Sequence, residues 1–118
     1  MTDRVEMERR TKSFALRIIR FVATLPPNQV GNVITYQLVK AGTSVGANYR
    51  EAGRAESRAD FIHKMKIVEK EAGETEYWLE LCVETPLGDP KEASSLRAEA
   101  GELLAIIAQS NITARSHR

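Results

Sequence analysis

Helix-breaking residues divide this chain into four segments, and within each segment the apolar residues recur with helical spacing. The breakers are Leu25-Pro26-Pro27, Gly53 and the run from Pro86 to Pro90. Apolar residues elsewhere return every three or four positions, which places them on one face of a helix. No segment alternates with the period of two that indicates a strand. The pattern therefore predicts four amphipathic helices and no sheet.

The bounds of these helices follow from their start and stop signals. The first is predicted from Thr11 or Lys12 to Leu25, the second from about Val30 to Ala52, the third from just after Ser57, and the fourth from Asp89. Ser57, with Asp60 three residues later, is typical of a capping box. Asp89-Pro90 supplies an N-cap and a proline at the first helical position. The third helix is predicted to be about 40 Å long at 1.5 Å per residue.

Four helices with short connections indicate an all-α protein, an antiparallel up-down four-helix bundle. A single domain is expected over residues 1–118, with flexible ends at 1–10 and 113–118. The stripe of each helix predicts the core residues. They are Phe14, Ile18, Phe21, Leu38, Val45, Phe61, Met65, Val68, Leu79 and Leu103.

Composition restricts the compartment and the class of partner. The 118 residues are 42% hydrophobic and 28% charged, with a net charge of +1, which argues against a basic coat over the whole surface. Cys82 is the single cysteine, so a reducing compartment is expected. The charged start lacks the apolar core of a secretion signal, and no apolar run is long enough to span a bilayer. A cytoplasmic protein without membrane attachment is predicted.

A ladder of small and polar residues interrupts this regular pattern. On the second helix it includes Gln37, Ser44, Asn48 and Glu51, and on the third helix Glu69 and Glu76. These six residues are named the polar seam. Their spacing places each group on one helix face. One interpretation is a solvated face; the favoured one is a buried, hydrogen-bonded seam that sets register between helices or subunits.

The same stretch carries a resemblance to a known family. The residues concerned are Ser44-Val45-x-Ala47-Asn48-x-x-Glu51, Ser57-x-x-Asp60-Phe61, Lys70-Glu71-Ala72 and Glu76. They resemble the four-helix-bundle family named for the 23S rRNA intervening-sequence proteins, over about residues 14–107. One departure is that many members have glycine directly after the glutamate, whereas here Ala52 precedes Gly53.

The resemblance implies a left-handed up-down four-helix bundle that assembles into a homopentameric barrel. A related branch of the family serves reverse transcriptases of diversity-generating retroelements as an accessory protein and binds nucleic acid. RNA, DNA and a reverse transcriptase are therefore the partners that the resemblance implies. No enzymatic activity is attached to the family.

Residues that could perform chemistry are few. Asp60-x-x-His63 is one partial match to a bundle di-metal motif, which requires two such pairs and two further carboxylates. The other histidine is His117, in the terminal tail. Cys82 lies among apolar residues, which favours a buried, inert thiol. No catalytic residue, cofactor or metal is predicted, and an enzyme is the weakest hypothesis.

Basic residues cluster on the first helix and around the turn between the second and third. This basic set consists of Arg9, Arg10, Lys12, Arg17, Arg20, Arg50, Arg54 and Arg58. In one subunit, a solvated charged surface explains the basic set. In a ring, however, the electrostatic fields of several copies of the set would add at one end. On the third helix, Tyr77, Trp78 and Leu81 make the apolar stripe wider than the core of one bundle requires, which favours such an oligomer. Two functions remain open: a nucleic-acid-binding oligomeric adaptor, and a structural or protein-binding scaffold.

Overall fold

The computed structural model describes residues 3–116. Its elements are α1 (Arg4–Phe21), a 3₁₀ turn (Val22–Thr24), α2 (Gln29–Ala52), α3 (Arg58–Glu84) and α4 (Pro90–Ser116). No strand occurs in this described part of the chain. The four helices lie side by side in a bundle that measures 48 × 22 × 20 Å. The all-helical prediction is confirmed.

Contacts between α1 and α2 show that the two helices run in opposite directions. Ile18 packs at Gly42, whereas Thr11, earlier on α1, packs at Gly46, later on α2. A Cβ added at Gly42 would lie 3.0 Å from the Ile18 side chain, and one added at Gly46 would lie 3.2 Å from Thr11 Oγ1. The two glycines therefore let the backbones approach closely.

Contacts between α3 and α4 show the same antiparallel arrangement. Arg97, near the start of α4, pairs with Glu80, near the end of α3, at 3.5 Å. Asn111, near the end of α4, donates to the backbone oxygen of Met65 at 3.0 Å. Arg10 and Arg17 of α1 reach Glu99 and Glu92 of α4 in the reverse order, so these two helices also run in opposite directions.

The start of α1 lies about two turns before the predicted Thr11. Asp3 caps the helix by accepting from the backbone N–H of Glu6 at 2.8 Å. Met7 and Thr11 are buried and continue the core stripe ahead of Phe14. The charged residues between them conceal this continuation, and the helix covers most of the segment expected as a flexible end. His117 lies outside the described residues.

Both predicted bounds of α2 and the predicted starts of α3 and α4 agree with the structure to within one residue, whereas α4 continues to Ser116, into the segment expected as a flexible end. α2 ends at Ala52, with Gly53 as its C-cap residue. Ser57 Oγ accepts from the backbone N–H of Asp60 at 3.0 Å, as the capping box predicts. The Asp60 carboxylate, however, accepts from the backbone N–H of Glu56 at 3.3 Å, one residue before the N-cap.

Nine of the ten predicted core side chains are buried. Phe61 is the exception, because it lies in the first turn of α3 and is only half-buried against the core. The core also includes two threonines that the sequence did not single out. Thr11 donates to the Met7 carbonyl at 2.8 Å, and Thr75 to the Glu71 carbonyl at 2.7 Å. Each hydroxyl is satisfied within its own helix, which removes most of the cost of its burial.

Two glycines are required where the chain turns. A Cβ added at Gly31, in the first turn of α2, would lie 1.8 Å from the carbonyl oxygen of Pro26. Gly88, between α3 and α4, has a φ of 75°, which side chains disfavour. The breakers seen in the sequence thus coincide with the tightest backbone positions.

Candidate nucleic-acid interface

Two members of the basic set are engaged inside the subunit. Arg10 donates from Nε and Nη2 to the two carboxylate oxygens of Glu99, each at 2.8 Å, and pairs with Glu102 at 3.0 Å. The Glu99 carboxylate raises the pKa of Arg10 above its already high ordinary value. Arg17 reaches Glu92 at 2.5 Å. These arginines join α1 to α4, so a phosphate would have to break the ion pairs in order to bind them.

Three other members of the basic set have local partners at the surface. Arg9 donates to Glu6 at 3.0 Å, and Arg54 pairs with Glu51 at 3.4 Å. Arg58 donates to the backbone carbonyl of Ala114. Exposed pairs of this kind are weak, at about 0–1 kcal/mol, so a phosphate can displace them.

Lys12, Arg20 and Arg50 complete the basic set. All three are exposed, and none takes part in an ion pair among residues 3–116. They are the exposed members of the set that no carboxylate or backbone carbonyl of residues 3–116 engages.

The basic set does not share one end of the bundle. Arg50, Arg54 and Arg58 surround the connection between α2 and α3. Arg20 lies at the opposite end, where neighbouring Phe21 approaches Gly88 of the connection between α3 and α4. The bundle is 48 Å long, so the set is distributed along the molecule.

The α2 half of the polar seam is bonded within its own helix. Ser44 Oγ donates to the Lys40 carbonyl at 2.5 Å, and Asn48 Nδ2 donates to the Ser44 carbonyl at 2.8 Å. Both side chains are half-buried, whereas Glu51 is exposed. Gln37 is also half-buried. In the single chain, the expected burial of Glu51 is therefore wrong and that of Ser44 and Asn48 is partial.

The α3 half of the seam points to α4 rather than to α2. Glu69 Oε1 accepts from Asn111 Nδ2 at 2.7 Å. The Glu76 carboxylate lies 2.9 Å from the position of a Cβ added at Gly101. The α3 half therefore meets α4. Helical spacing shows which residues share a face, but not which helix that face meets.

Asn111 is an architectural residue that the sequence analysis missed. Its side chain is 4% exposed and joins α4 to both the Met65 carbonyl and the Glu69 carboxylate. The signal was present, since Asn111 continues the stripe of Leu103 and Ile107 four residues further on.

A groove between α3 and α4 was also missed. It has a volume of about 480 Å³ and is open to solvent. We name it the α3–α4 groove; its lining residues are Lys66, Glu69, Lys70, Gly73, Leu104 and Arg115. Lys66 and Lys70 are one turn apart on α3, which the sequence shows, but the approach of Arg115 depends on tertiary packing.

Large apolar side chains are exposed on the outer sides of α1 and α2. We name them the apolar face; they are Leu16, Ile19, Val30, Val33 and Tyr36. On α3, Tyr77 is exposed, and Trp78 and Leu81 are half-buried. Two surfaces on different helices thus leave apolar area in contact with water.

Cys82 and His63, two of the groups considered for chemistry, lie 19 residues apart on α3. Cys82 is buried, and burial raises the pKa of its thiol to about 11. His63 is exposed. Within residues 3–116 there is no group of three His, Cys, Asp or Glu side chains placed to hold a metal ion. None of the described helices has the length and apolarity to cross a bilayer.

Comparison with protein families gives a match over nearly all of the bundle. The profile described as "23S rRNA-intervening sequence protein" matches residues 4–109. The chain belongs to the 23S rRNA-intervening sequence protein family. Its match begins at the first residue of α1 and continues into α4, so all four helices contribute to it.

A solved structure agrees with this membership in the 23S rRNA-intervening sequence protein family. It is the crystal structure of a protein with unknown function from the S23 ribosomal protein family of Bacteroides thetaiotaomicron. The two chains are 38% identical and superpose with a TM-score of 0.80, over 89% of this chain and 97% of the other. A search of the curated proteins gave no match.

Proposed function

We propose that this protein is a non-enzymatic, oligomeric adaptor, a homopentamer, that binds nucleic acid through exposed basic side chains. The observation that carries the proposal is the apolar face on α1 and α2, together with the second apolar surface at Tyr77, Trp78 and Leu81. Exposed apolar clusters of this kind favour association with another protein surface.

The position of these two surfaces favours a ring. They lie on different helices, so contact between the apolar face of one copy and the α3 surface of the next is heterologous. Heterologous contacts that close produce rings, whereas a two-fold dimer would use one patch twice. The number five rests on the family resemblance.

The accessible basic residues support the nucleic-acid part of the proposal. Lys12, Arg20 and Arg50 are exposed and lie outside the ion pairs formed among residues 3–116. One subunit has a net charge of only +1, so repetition around a ring must supply avidity. The aromatic residues next to Arg20 and Arg50 in the sequence are directed towards the core, since Phe21 is buried and Tyr49 is half-buried against it, which favours contacts to phosphates over stacking on bases.

Two measurements test the proposal. Light scattering coupled to size-exclusion chromatography should report five times the mass of one 13.2 kDa chain. Binding to labelled RNA and DNA of mixed sequence, at about 50 mM salt, should weaken steeply as salt is raised. A monomeric mass contradicts the ring, and an intact ring that binds neither polymer contradicts the adaptor function.

A structural or protein-binding scaffold is the second candidate. The observation that favours it is an uncharged surface on α2, where Val33 and Tyr36 lie among side-chain amides. The lining residues are Asn28, Gln29, Asn32, Val33, Tyr36 and Gln37. Such a surface suits a protein partner better than a phosphate. A ring that binds neither RNA nor DNA at low salt would favour this candidate.

A further inference from the structure

Three basic side chains converge on the α3–α4 groove. Lys66 and Lys70 come from α3, and Arg115 comes from the last turn of α4. None of the three belongs to the basic set. The lining between them includes Gly73 and Leu104, and the groove is open to solvent. A cationic rim above a shallow floor is suited to an extended anionic chain.

The two lysines lie outside the ion pairs of residues 3–116, in contrast to a lysine of the same helix. Lys64 Nζ donates to Asp60 at 3.0 Å. No such carboxylate engages Lys66 or Lys70 in the described part of the chain. An incoming anion can therefore pair with both lysines without first breaking an internal ion pair.

The one acid of the groove is held by a buried amide. Glu69 Oε1 accepts from Asn111 Nδ2 at 2.7 Å, and Asn111 is itself fixed to the Met65 carbonyl. Three cations and one carboxylate leave the lining with a net charge of +2. Since Asn111 is buried in the core, this bond draws the carboxylate towards the floor of the groove.

Gly73 keeps the floor low beside Lys70. Apart from its chain neighbours and the backbone of its own helix, no described atom lies within 4 Å of a Cβ added at Gly73. The glycine is thus not required by internal packing, and its missing side chain leaves space at the surface. A backbone of phosphates and sugars can therefore approach α3 closely at this point.

The spacing of the lysines matches a phosphate chain. Four residues of helix separate Lys66 from Lys70, which is about 6 Å at 1.5 Å per residue. Successive phosphates advance about 3.4 Å along one strand of DNA. The two lysines therefore match phosphates about two nucleotides apart.

We propose that the α3–α4 groove is a binding site for the sugar–phosphate backbone of nucleic acid. This inference rests on the adaptor function proposed above and names a site for it outside the basic set. Lys66, Lys70 and Arg115 pair with phosphates, and Gly73 provides the space for the strand. Recognition is independent of sequence because only backbone groups are contacted.

The test compares two variants that lower the net charge of each subunit equally. Lys66→Gln/Lys70→Gln removes two positive charges from the groove. Lys91→Glu makes the same change in net charge at an exposed position in the first turn of α4, away from the groove. Binding of labelled RNA and DNA is measured for both variants and the natural chain across a salt series, with mass and circular dichroism as controls.

The groove variant should lose about tenfold or more in affinity at about 50 mM salt, and its salt slope should fall by about two, one for each lysine–phosphate contact. Lys91→Glu should change affinity less than threefold. Equal losses in the two variants would overturn the groove while leaving the adaptor function intact. No binding by the natural chain would overturn both proposals.

A third variant separates the shape of the groove from its charge. Gly73→Leu fills the floor without altering net charge, and leucine favours a helix. It should weaken nucleic-acid binding at least fivefold at unchanged mass. Unaltered binding would contradict the close approach at Gly73. Competition by polyglutamate as effective as competition by RNA, at equal charge, would indicate an acidic protein and overturn the proposed ligand.

Discussion

The guanidinium of Arg10 and the carboxylate of Glu99 form a two-pronged ion pair between α1 and α4, with both hydrogen bonds at 2.8 Å. Their side chains are 21% and 20% exposed, so water screens the pair less than it screens the exposed pairs elsewhere on α1. The geometry is of the kind that fixes position as well as adding energy. Arg10 is therefore part of the bundle rather than of a ligand surface.

Replacing Glu99 with Gln should lower the free energy of unfolding by about 1–2 kcal/mol, because a charged hydrogen-bond acceptor is lost at a half-buried site. Glu102→Gln is the matched control, since Glu102 pairs with the same arginine but is 65% exposed. Its effect should be below about 0.5 kcal/mol. Urea unfolding measures both, and equal effects would contradict the structural role of the two-pronged pair.

Gly31→Ala should destabilise the bundle by about 3 kcal/mol, because the new Cβ meets backbone that cannot move aside. That Cβ would lie 1.8 Å from the Pro26 carbonyl oxygen. Gly73→Ala is the control, with open space at its Cβ, and should stabilise by about 0.5–1 kcal/mol. Thermal unfolding should show shifts of opposite sign; shifts of the same sign would contradict this account.

Cys82 should resist alkylation in the folded protein at neutral pH, because its thiol is buried and its pKa is raised to about 11. Only the thiolate reacts readily. Below about pH 9 both folded and unfolded chains keep the thiol proton, whereas between about pH 9 and 11 the unfolded chain ionises first. Stability should therefore fall through this window.

Cys82→Ser is the comparison for this prediction. The free energy of unfolding is measured against pH for both chains. The difference between the two curves isolates the contribution of the thiol from those of tyrosines and lysines, which both chains share. Rapid labelling of the folded natural chain by iodoacetamide at pH 7 would show that the thiol is accessible and would contradict the prediction.

Val33→Glu should break the proposed oligomer without unfolding the bundle. Val33 is 51% exposed on the apolar face, so its replacement removes little from the core but puts a charge into the contact between copies. Ile112→Glu is the control, because Ile112 is 53% exposed on α4, outside the two apolar surfaces. Light scattering should report a smaller mass for Val33→Glu alone, with helical circular dichroism unchanged in both.

Asn111→Leu should cost about 1–3 kcal/mol, because the Glu69 carboxylate and the Met65 carbonyl lose a buried donor. Asn32→Leu is the exposed control and should lie within about 0.5 kcal/mol of the natural chain. Because this amide also holds the Glu69 carboxylate at the floor of the groove, nucleic-acid binding should weaken in Asn111→Leu at unchanged mass, since the released carboxylate can repel phosphates. Unchanged stability would contradict the role assigned to this amide.

The helices and most of the core could be predicted because both depend on local spacing. Ile18, Leu38, Val68 and Leu103 each belong to a stripe that is visible within a single segment. The start of α1 could not be placed correctly, since its first turns are mostly charged and only Met7 marks the buried face. Local patterns predict a helix well and predict its polar ends less well.

The candidate sites were harder to predict because they depend on which helices meet. Glu69 shares a face with Glu76, as expected, but that face meets Asn111 of α4 and not Asn48 of α2. In the sequence Arg10 is one of several basic residues on the first helix, and its ion pair is not visible because its partner, Glu99, lies on α4. Pairings between residues so distant in sequence leave no periodic signal in either helix.

The pairing of the first helix with the last also affects how the chain is made. Arg10 and Glu99 are separated by 89 positions. At about 5–20 residues per second, translation leaves an emerging α1 without this partner for roughly 4–18 s. During that interval its buried stripe, Met7 and Phe14 included, lacks the cover of α4. Pairing with α2, which follows α1 in the chain and packs against it at Gly42 and Gly46, can cover part of this stripe before α4 is made.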